Sequence, residues 1–143
     1  MNGARMTDYL LDSGILILHL RKQPGYLDLM DNLAGEGELY VSAISRFETV
    51  RGMRDREKKA TFALLDSLKT VGVTREIADQ AGELVRSWKS RGKTFDDADA
   101  LIAASALQHG LSLATTNPKH FPMPDLNILQ ADEQGNLSPY KAV

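Results

Sequence analysis

Residues 96–117 read Asp-Asp-Ala-Asp-Ala-Leu-Ile-Ala-Ala-Ser-Ala-Leu-Gln-His-Gly-Leu-Ser-Leu-Ala-Thr-Thr-Asn. Asp96 is an N-cap residue type, and Leu101, Ile102, Ser105 and Ala106 then recur on one face of a helix. His109-Gly110 closes that helix, because glycine takes the left-handed conformation that ends helices. The run from Leu111 to Thr115 follows as a buried strand, and Asn117-Pro118 turns the chain. A helix handed through a glycine to an apolar strand is the second half of a βαβ unit, and the rest of the chain repeats that alternation.

Working outward, residues 8–11 read as a short buried strand ending at Asp12, with Ser13 capping a helix over Ile15–Leu18 to about Leu20. Pro24 suits the first turn of a second helix carrying Leu27, Leu29, Met30 and Leu33 and stopped by Gly35. Leu39–Val41 is the next strand, and a helix from Ala43 carries Ile44, Phe47 and Val50 to about Gly52. Residues 55–69 predict one helix with Phe62, Leu65 and Leu68 on one face, then a short extended piece over 70–73. The helix after Thr74 presents Ile77, Ala81, Leu84, Val85 and Trp88 at helical intervals. Leu126–Leu129 predicts a last strand, and the tail from Ala131 is polar and expected to pack loosely. Alternating strands and helices predict an α/β domain in three layers, a central mainly parallel sheet flanked by helices. The whole of 1–143 reads as one domain, with a core over about 8–129.

Acids and polar substitutes recur where strands end or helices begin: Asp12, then Glu48 in Ser42-x-x-Ser45-x-x-Glu48, then Asp96, Asp97 and Asp99, then Asn117. In open α/β sheets that edge is where ligands bind. Two unit charges about 4 Å apart repel by roughly 4 kcal/mol at an effective dielectric near 20. Carboxylates gathered there either share a cation or hold at least one strongly raised pKa. Asp99, close to Leu101 and Ile102 on a largely apolar helix, needs a partner most of all.

Composition removes other chemistries. The chain has 143 residues and no cysteine, so thiolate metal sites, disulfides and cysteine nucleophiles are excluded. An intracellular location fits that absence. The apolar stretch Ile15–Leu18 is too short and wrongly flanked for a signal peptide or a membrane span. A net charge of −2 argues against a strongly basic nucleic-acid binder, though not against a nuclease whose metal neutralises phosphate locally. No pair of the three histidines has zinc-ligand spacing.

Taken in order, Leu10-Leu11-Asp12-Ser13, Ser42-x-x-Ser45-x-x-Glu48-x-x-Arg51-Gly52, Asp99-Ala100-Leu101-Ile102-Ala103-Ala104 and Leu113-Ala114-Thr115-Thr116-Asn117 resemble the PIN domains. The likeness is to the VapC-like toxins of bacterial and archaeal toxin–antitoxin pairs, and it covers roughly residues 8–129. It implies a PIN-like fold and a cytoplasmic endoribonuclease that uses Mg²⁺ or Mn²⁺. It also implies a homodimer, an RNA substrate, a cognate antitoxin and no membrane. By position, Asp12, Glu48 and Asp99 match the family's first three acids, the expected metal ligands, with Asn117 assisting as the fourth. Hard divalent cations want such oxygen donors and keep several waters, so a few carboxylates suffice.

The departures from the family pattern are Gly14, where Asn or Ser is frequent, Asn117 at the fourth acidic position, and His120-Phe121, where an acid commonly precedes the Phe. An uncharged fourth ligand favours one metal over two. It also keeps open a rival of another class, a catalytically weakened PIN-fold module that binds RNA or a partner without cutting. A phosphotransfer receiver domain fits poorly, because no acidic pair ends the first strand. Asp96 reads as a helix cap and Asp97 as an exposed first-turn residue. Asn117 can be a turn former as readily as a ligand, and His120 and His109 read as surface residues. Thr115 and Ser45 could support the acids by hydrogen bonds. Basic residues around Glu48 (Arg46, Arg51, Arg54, Arg56, Lys58, Lys59) and before the acidic helix (Arg86, Lys89, Arg91, Lys93) are candidate phosphate contacts.

Overall fold

The computed structural model describes residues 7–141. Its centre is β1 (Tyr9–Leu11), three residues buried on both faces because each neighbour in the sheet and each helical layer covers them. To one side lie β2 (Leu39–Ser42) and β3 (Lys69–Val71); to the other lie β4 (Ser112–Thr115), β5 (Ile128–Ala131) and β6 (Leu137–Tyr140). The sheet order is β3-β2-β1-β4-β5-β6, parallel throughout except for the antiparallel β5–β6 edge.

Leu10 points into one helical layer and Tyr9 and Leu11 into the other, as strand alternation requires. The first layer is built on α5 (Arg75–Ser90) and α6 (Asp97–His109), with Ile77, Ala81, Ile102 and Ala103 against Leu10, Leu113 and Ile128. The second layer holds α1 (Ser13–Leu20), α2 (Tyr26–Glu36) and α4 (Lys58–Ser67), with Leu16, Tyr26, Leu33 and Leu65 against Leu11 and Val41. The helix α3 (Ala43–Gly52) leaves β2 at the site end of the sheet and contacts both α1 and α6. The chain fills β1 to β3 outward on one side and then returns to β4 beside β1. The C-terminal ends of β1 and β4 therefore form the switch point of the sheet, where loops diverge and leave a crevice.

Several sequence expectations shift for local reasons. The cap of α1 is Asp12, whose side chain accepts from the Ser13 backbone N–H at 2.9 Å; Ser13 is the first helical residue. The second helix begins at Tyr26 after Gly25, two residues beyond Pro24, and it runs through Gly35 to Glu36. Gly25 is left-handed there (φ 91°), and its Cα packs against the Gln134 backbone with no room for a Cβ. Leu27, one of the apolar residues that helix carries, is 65% exposed, and Phe47 on α3 is 58% exposed under the Arg51 guanidinium. The buried face of α3 is Ser45 and Thr49 instead, small residues that allow close packing, with the Thr49 hydroxyl donating to the Ser45 carbonyl at 2.7 Å. The expected helix over 55–69 is a single 3-10 turn, Asp55–Glu57, followed by α4, and Phe62 is only half-buried. The strand expected at 126–129 is shifted to 128–131, with Leu126 buried just before it.

The polar tail is the largest correction. Rather than packing loosely, residues 137–140 form β6 along β5, from Ala131 opposite Leu137 to Ile128 opposite Tyr140. Pro139 disguised it: proline cannot donate to a ladder, yet an edge strand tolerates it.

Candidate active site

Asp12 follows β1 directly, and its backbone N–H extends the ladder by donating to the Ala114 carbonyl at 3.0 Å. That pairing places Asp12 against the end of β4, where the Thr115 hydroxyl donates to Asp12 Oδ2 at 2.7 Å. With Oδ1 taken by the Ser13 N–H, both carboxylate oxygens are held and the side chain is 7% exposed. Burial pushes the Asp12 carboxyl above the usual carboxylate range, while the Thr115 and Ser13 hydrogen bonds and the nearby His120 oppose the rise.

Asp99 lies in the first turn of α6, one residue pair beyond the cap Asp96, which accepts from the Ala98 N–H at 2.9 Å. Its carboxyl is pushed up to about 6 by burial, then by the charge of Asp96; His120 pulls the other way, and Asp12 and Glu48 add to the rise. Glu48, one face of α3 away, is also raised, first by burial and then by Asp12, against the Ser13 hydrogen bond and the Arg51 charge. Of these carboxylates from a strand end, a helix middle and a helix start, Glu48 feels the charge of Asp12, and Asp99 feels both. Asp12, Glu48 and Asp99 thus lie at the same end of the sheet, within reach of one another's fields.

The other candidates divide. Asp96 serves as the cap and also loads the pocket with charge, whereas Asp97 is exposed. Asn117 is exposed and reaches the acids only through an intermediary: its N–H donates to Thr115 Oγ1 at 3.0 Å and its Nδ2 to Thr116 Oγ1 at 3.3 Å. Thr115 therefore supports Asp12 while itself gripped by Asn117. Ser45 does not support the acids; its Oγ is buried with no hydrogen-bond partner among the described residues. At Gly14, a Cβ would come within 2.6 Å of Thr116 Oγ1, so the threonine hydroxyl fills the room a side chain at 14 would need.

His120 is exposed, as its sequence reading had it, but the sequence did not show its contact with Asp99. It ends the 3-10 turn Pro118–His120, and Phe121, fully buried, draws that turn back against the sheet. The consequence is His120 Nδ1 at 3.3 Å from Asp99 Oδ2, inside the acidic crevice. The available signal was its place directly before a large buried aromatic.

The donor set suits a hard divalent cation: carboxylate oxygens that raise one another's pKa are what a shared positive charge would relieve. Among the described residues no three acidic or imidazole side chains stand close enough to share one ion without moving.

Residues 9–124 match the PIN domain family. The chain is 40% identical over 119 residues to ribonuclease VapC19 of Mycobacterium tuberculosis strain H37Rv, spanning 82% of this chain and 95% of that protein. It is 30% identical over 113 residues to ribonuclease VapC1 of Methanocaldococcus jannaschii, spanning 78% and 77%. The fold is that of VapBC2 from Rickettsia felis, solved bound to a promoter DNA fragment, with a TM-score of 0.76 at 22% identity over 88% of this chain and 100% of that one. A family match over most of the crevice-bearing core and a 40%-identical relative that spans nearly its full length place the chain in the PIN domain family, among the VapC ribonucleases.

Proposed function

We propose that this VapC-type chain is an endoribonuclease that hydrolyses RNA phosphodiesters with a divalent cation, Mg²⁺ or Mn²⁺, held by Asp12, Glu48 and Asp99. The observation that carries the reading is the gathering of those three carboxylates near the end of β1, all raised by burial, with Glu48 raised further by the charge of Asp12 and Asp99 by the charges of Asp12 and Glu48. When bound, the cation supplies a water of lowered pKa and screens charge developing on the phosphate. Asp12 contributes a carboxylate fixed in one orientation by Ser13 and Thr115, and Asn117 holds Thr115 in turn. Asp99 contributes the group most in need of positive charge. Relatives named as ribonucleases favour the enzyme over the binding-only module.

RNA contacts belong on the basic side of this crevice. Arg51, exposed and near enough to lower the Glu48 pKa, is placed to meet a phosphate flanking the scissile one. Arg46 is not free for that role, since its guanidinium binds Asp66 at 2.8 Å and the Leu65 carbonyl at 3.2 Å.

Structures with this fold include a toxin–antitoxin complex from Klebsiella pneumoniae, at 24% identity and a TM-score of 0.68 over 79% of this chain. We extend an antitoxin partner to this chain, together with a homodimer and a cytoplasmic site of action. An open groove lined by Leu20, Pro24, Leu27, Ala63 and Leu64 gives an apolar segment of a partner a seat next to the exposed Leu27. No helix among the described residues is long and apolar enough to cross a membrane.

The direct test is cleavage of a mixed structured RNA pool with Mn²⁺, Mg²⁺ or EDTA, beside Asp99→Asn. The expected result is cutting in either metal that stops in EDTA and falls at least about 100-fold in the variant, the scale on which charge stabilisation at an active site is lost. Equal, metal-independent traces from both proteins would overturn the reading.

A further inference from the structure

Resting on the proposed cation site, we propose that His120 is a fourth ligand to that cation, supplying an imidazole nitrogen that tilts the site toward transition-metal ions such as Mn²⁺ and Co²⁺ and away from Mg²⁺. The geometry comes first. Nδ1 of His120 stands 3.3 Å from Oδ2 of Asp99. Two neighbouring ligands on one octahedral ion with bonds near 2.1 Å lie about 3 Å apart. The pair is thus already spaced as two ligands of a single ion.

The chain holds the imidazole there by its own packing. Phe121 is wholly buried among Leu113, Met123 and Ile128, and the Phe121 N–H donates to the Pro118 carbonyl at 3.0 Å, so the turn carrying His120 is pinned from below. The His120 N–H donates to the Asn117 carbonyl at 3.1 Å, tying the turn to the residue that grips Thr115. The other two histidines are elsewhere, His19 in the last turn of α1 and His109 in the last turn of α6.

Nitrogen in place of oxygen has a defined chemical consequence. Mg²⁺ is hard, dehydrates reluctantly and is served by carboxylates and waters. Imidazole raises affinity along the first-row series far more than for Mg²⁺. An acid at 120 would add charge that any divalent ion welcomes. A histidine adds no negative charge, and its benefit falls to ions that bind nitrogen well. The selectivity of this site therefore lives in residue 120, while its basic affinity lives in the three carboxylates.

The test measures binding rather than turnover. Mn²⁺, Co²⁺ and Mg²⁺ are titrated calorimetrically into the whole chain and into His120→Ala, His120→Asp and Asp99→Asn. Nitrogen couplings on bound Mn²⁺ are read by pulsed EPR, with His109→Ala as the control. The expected result is a nitrogen coupling in wild type and His109→Ala that is absent in His120→Ala. His120→Ala should lose Mn²⁺ and Co²⁺ affinity by about tenfold or more with little change for Mg²⁺, and His120→Asp should narrow the Mn²⁺-to-Mg²⁺ ratio. Because His120 is largely exposed, these variants keep the fold, and a thermal melt checks it. Mn²⁺ binding that depends on Asp99 but shows no nitrogen coupling and an unchanged metal ratio overturns the role of His120 and leaves the proposed nuclease site standing. Binding that is the same in wild type and Asp99→Asn overturns both.

Discussion

At the scale of single residues, Asp12 and Asp99 show two ways of keeping an acid in a folded interior. Asp12 is compensated locally, by a hydroxyl and an amide on its two oxygens. Thr115→Val removes the stronger of these without changing shape, leaving a buried carboxylate one donor short. The expected cost is about 1–3 kcal/mol in unfolding free energy measured by urea titration, with metal affinity about tenfold weaker by calorimetry. Asp99 is compensated poorly, and its raised pKa gives a pH dependence of definite sign. Its folded value of about 6 lies above the ordinary 3.8, so between those values the native protein keeps a proton that the unfolded chain releases. Stability of the metal-free protein therefore falls as pH rises through about 4 to 6 and stays lower above it. Denaturant titrations in EDTA at pH 4.5 and 7.5 should show this loss, and Asp99→Asn should flatten it. A wild type that gains stability over that interval while Asp99→Asn does not would contradict the assignment.

At the scale of elements, the start of α2 and the β5–β6 turn are built around each other. A Cβ on Gly25 would lie 1.7 Å from the Gln134 carbonyl oxygen, and one on Gly135 would lie 2.6 Å from the Gly25 carbonyl oxygen. Both glycines are left-handed, at φ 91° and 77°. The Tyr26 hydroxyl, fully buried, then donates to the Asp132 carbonyl at 2.7 Å and locks the crossing. Gly25→Ala meets backbone rather than a side chain that could swing away. It should destabilise by about 3 kcal/mol or more, visible as a drop in Tm and as early hydrogen exchange in β6. This close backbone approach explains why Pro24 does not open α2: the chain must first pass the tail turn. It was illegible in the sequence, where Gly25 and Gly135 are 110 residues apart and each looks like an ordinary loop glycine. By contrast α6 was legible in full, because Asp96, the apolar face and Gly110 are local signals and Gly110 does take the left-handed cap at φ 63°.

At the scale of the whole molecule, a chain of net charge −2 must concentrate positive charge if it is to hold RNA. The basic run around Glu48 does not act as one patch. Arg46 is committed to Asp66 and the Leu65 carbonyl, and Arg51 lies over the Phe47 ring at 5.1 Å; in the run before the acidic helix, Arg91 and Lys93 lie over Trp88 at 4.7 and 5.9 Å. Arg51 remains beside the crevice, and Arg51→Ala should raise KM for RNA several-fold with kcat little changed. It should also lower the slope of log binding against log salt by about one, as loss of a single phosphate contact does. An unchanged KM and slope would move the RNA path to another face. Cleavage assays and fluorescence titrations at 50–200 mM salt decide it.

What the sequence by itself determined is the alternation of strands and helices, the placing of Asp12 and Asp99 at element ends with Glu48 inside a helix between them in the chain, and, through their order, the family. Those features rest on signals a few residues long: apolar runs, helix caps, glycine stops and an acid directly after a strand. The tertiary structure alone decided which groups share the crevice and on what terms. It placed Thr115 on Asp12 because β4 pairs with β1, and it withheld Ser45 because its helix buries that face. It carried His120 to Asp99 because Phe121 had to reach the core, and it turned the polar tail into an edge strand because β5 needed a partner. Each of these depends on contacts between segments distant in the chain, where no periodicity or cap is written.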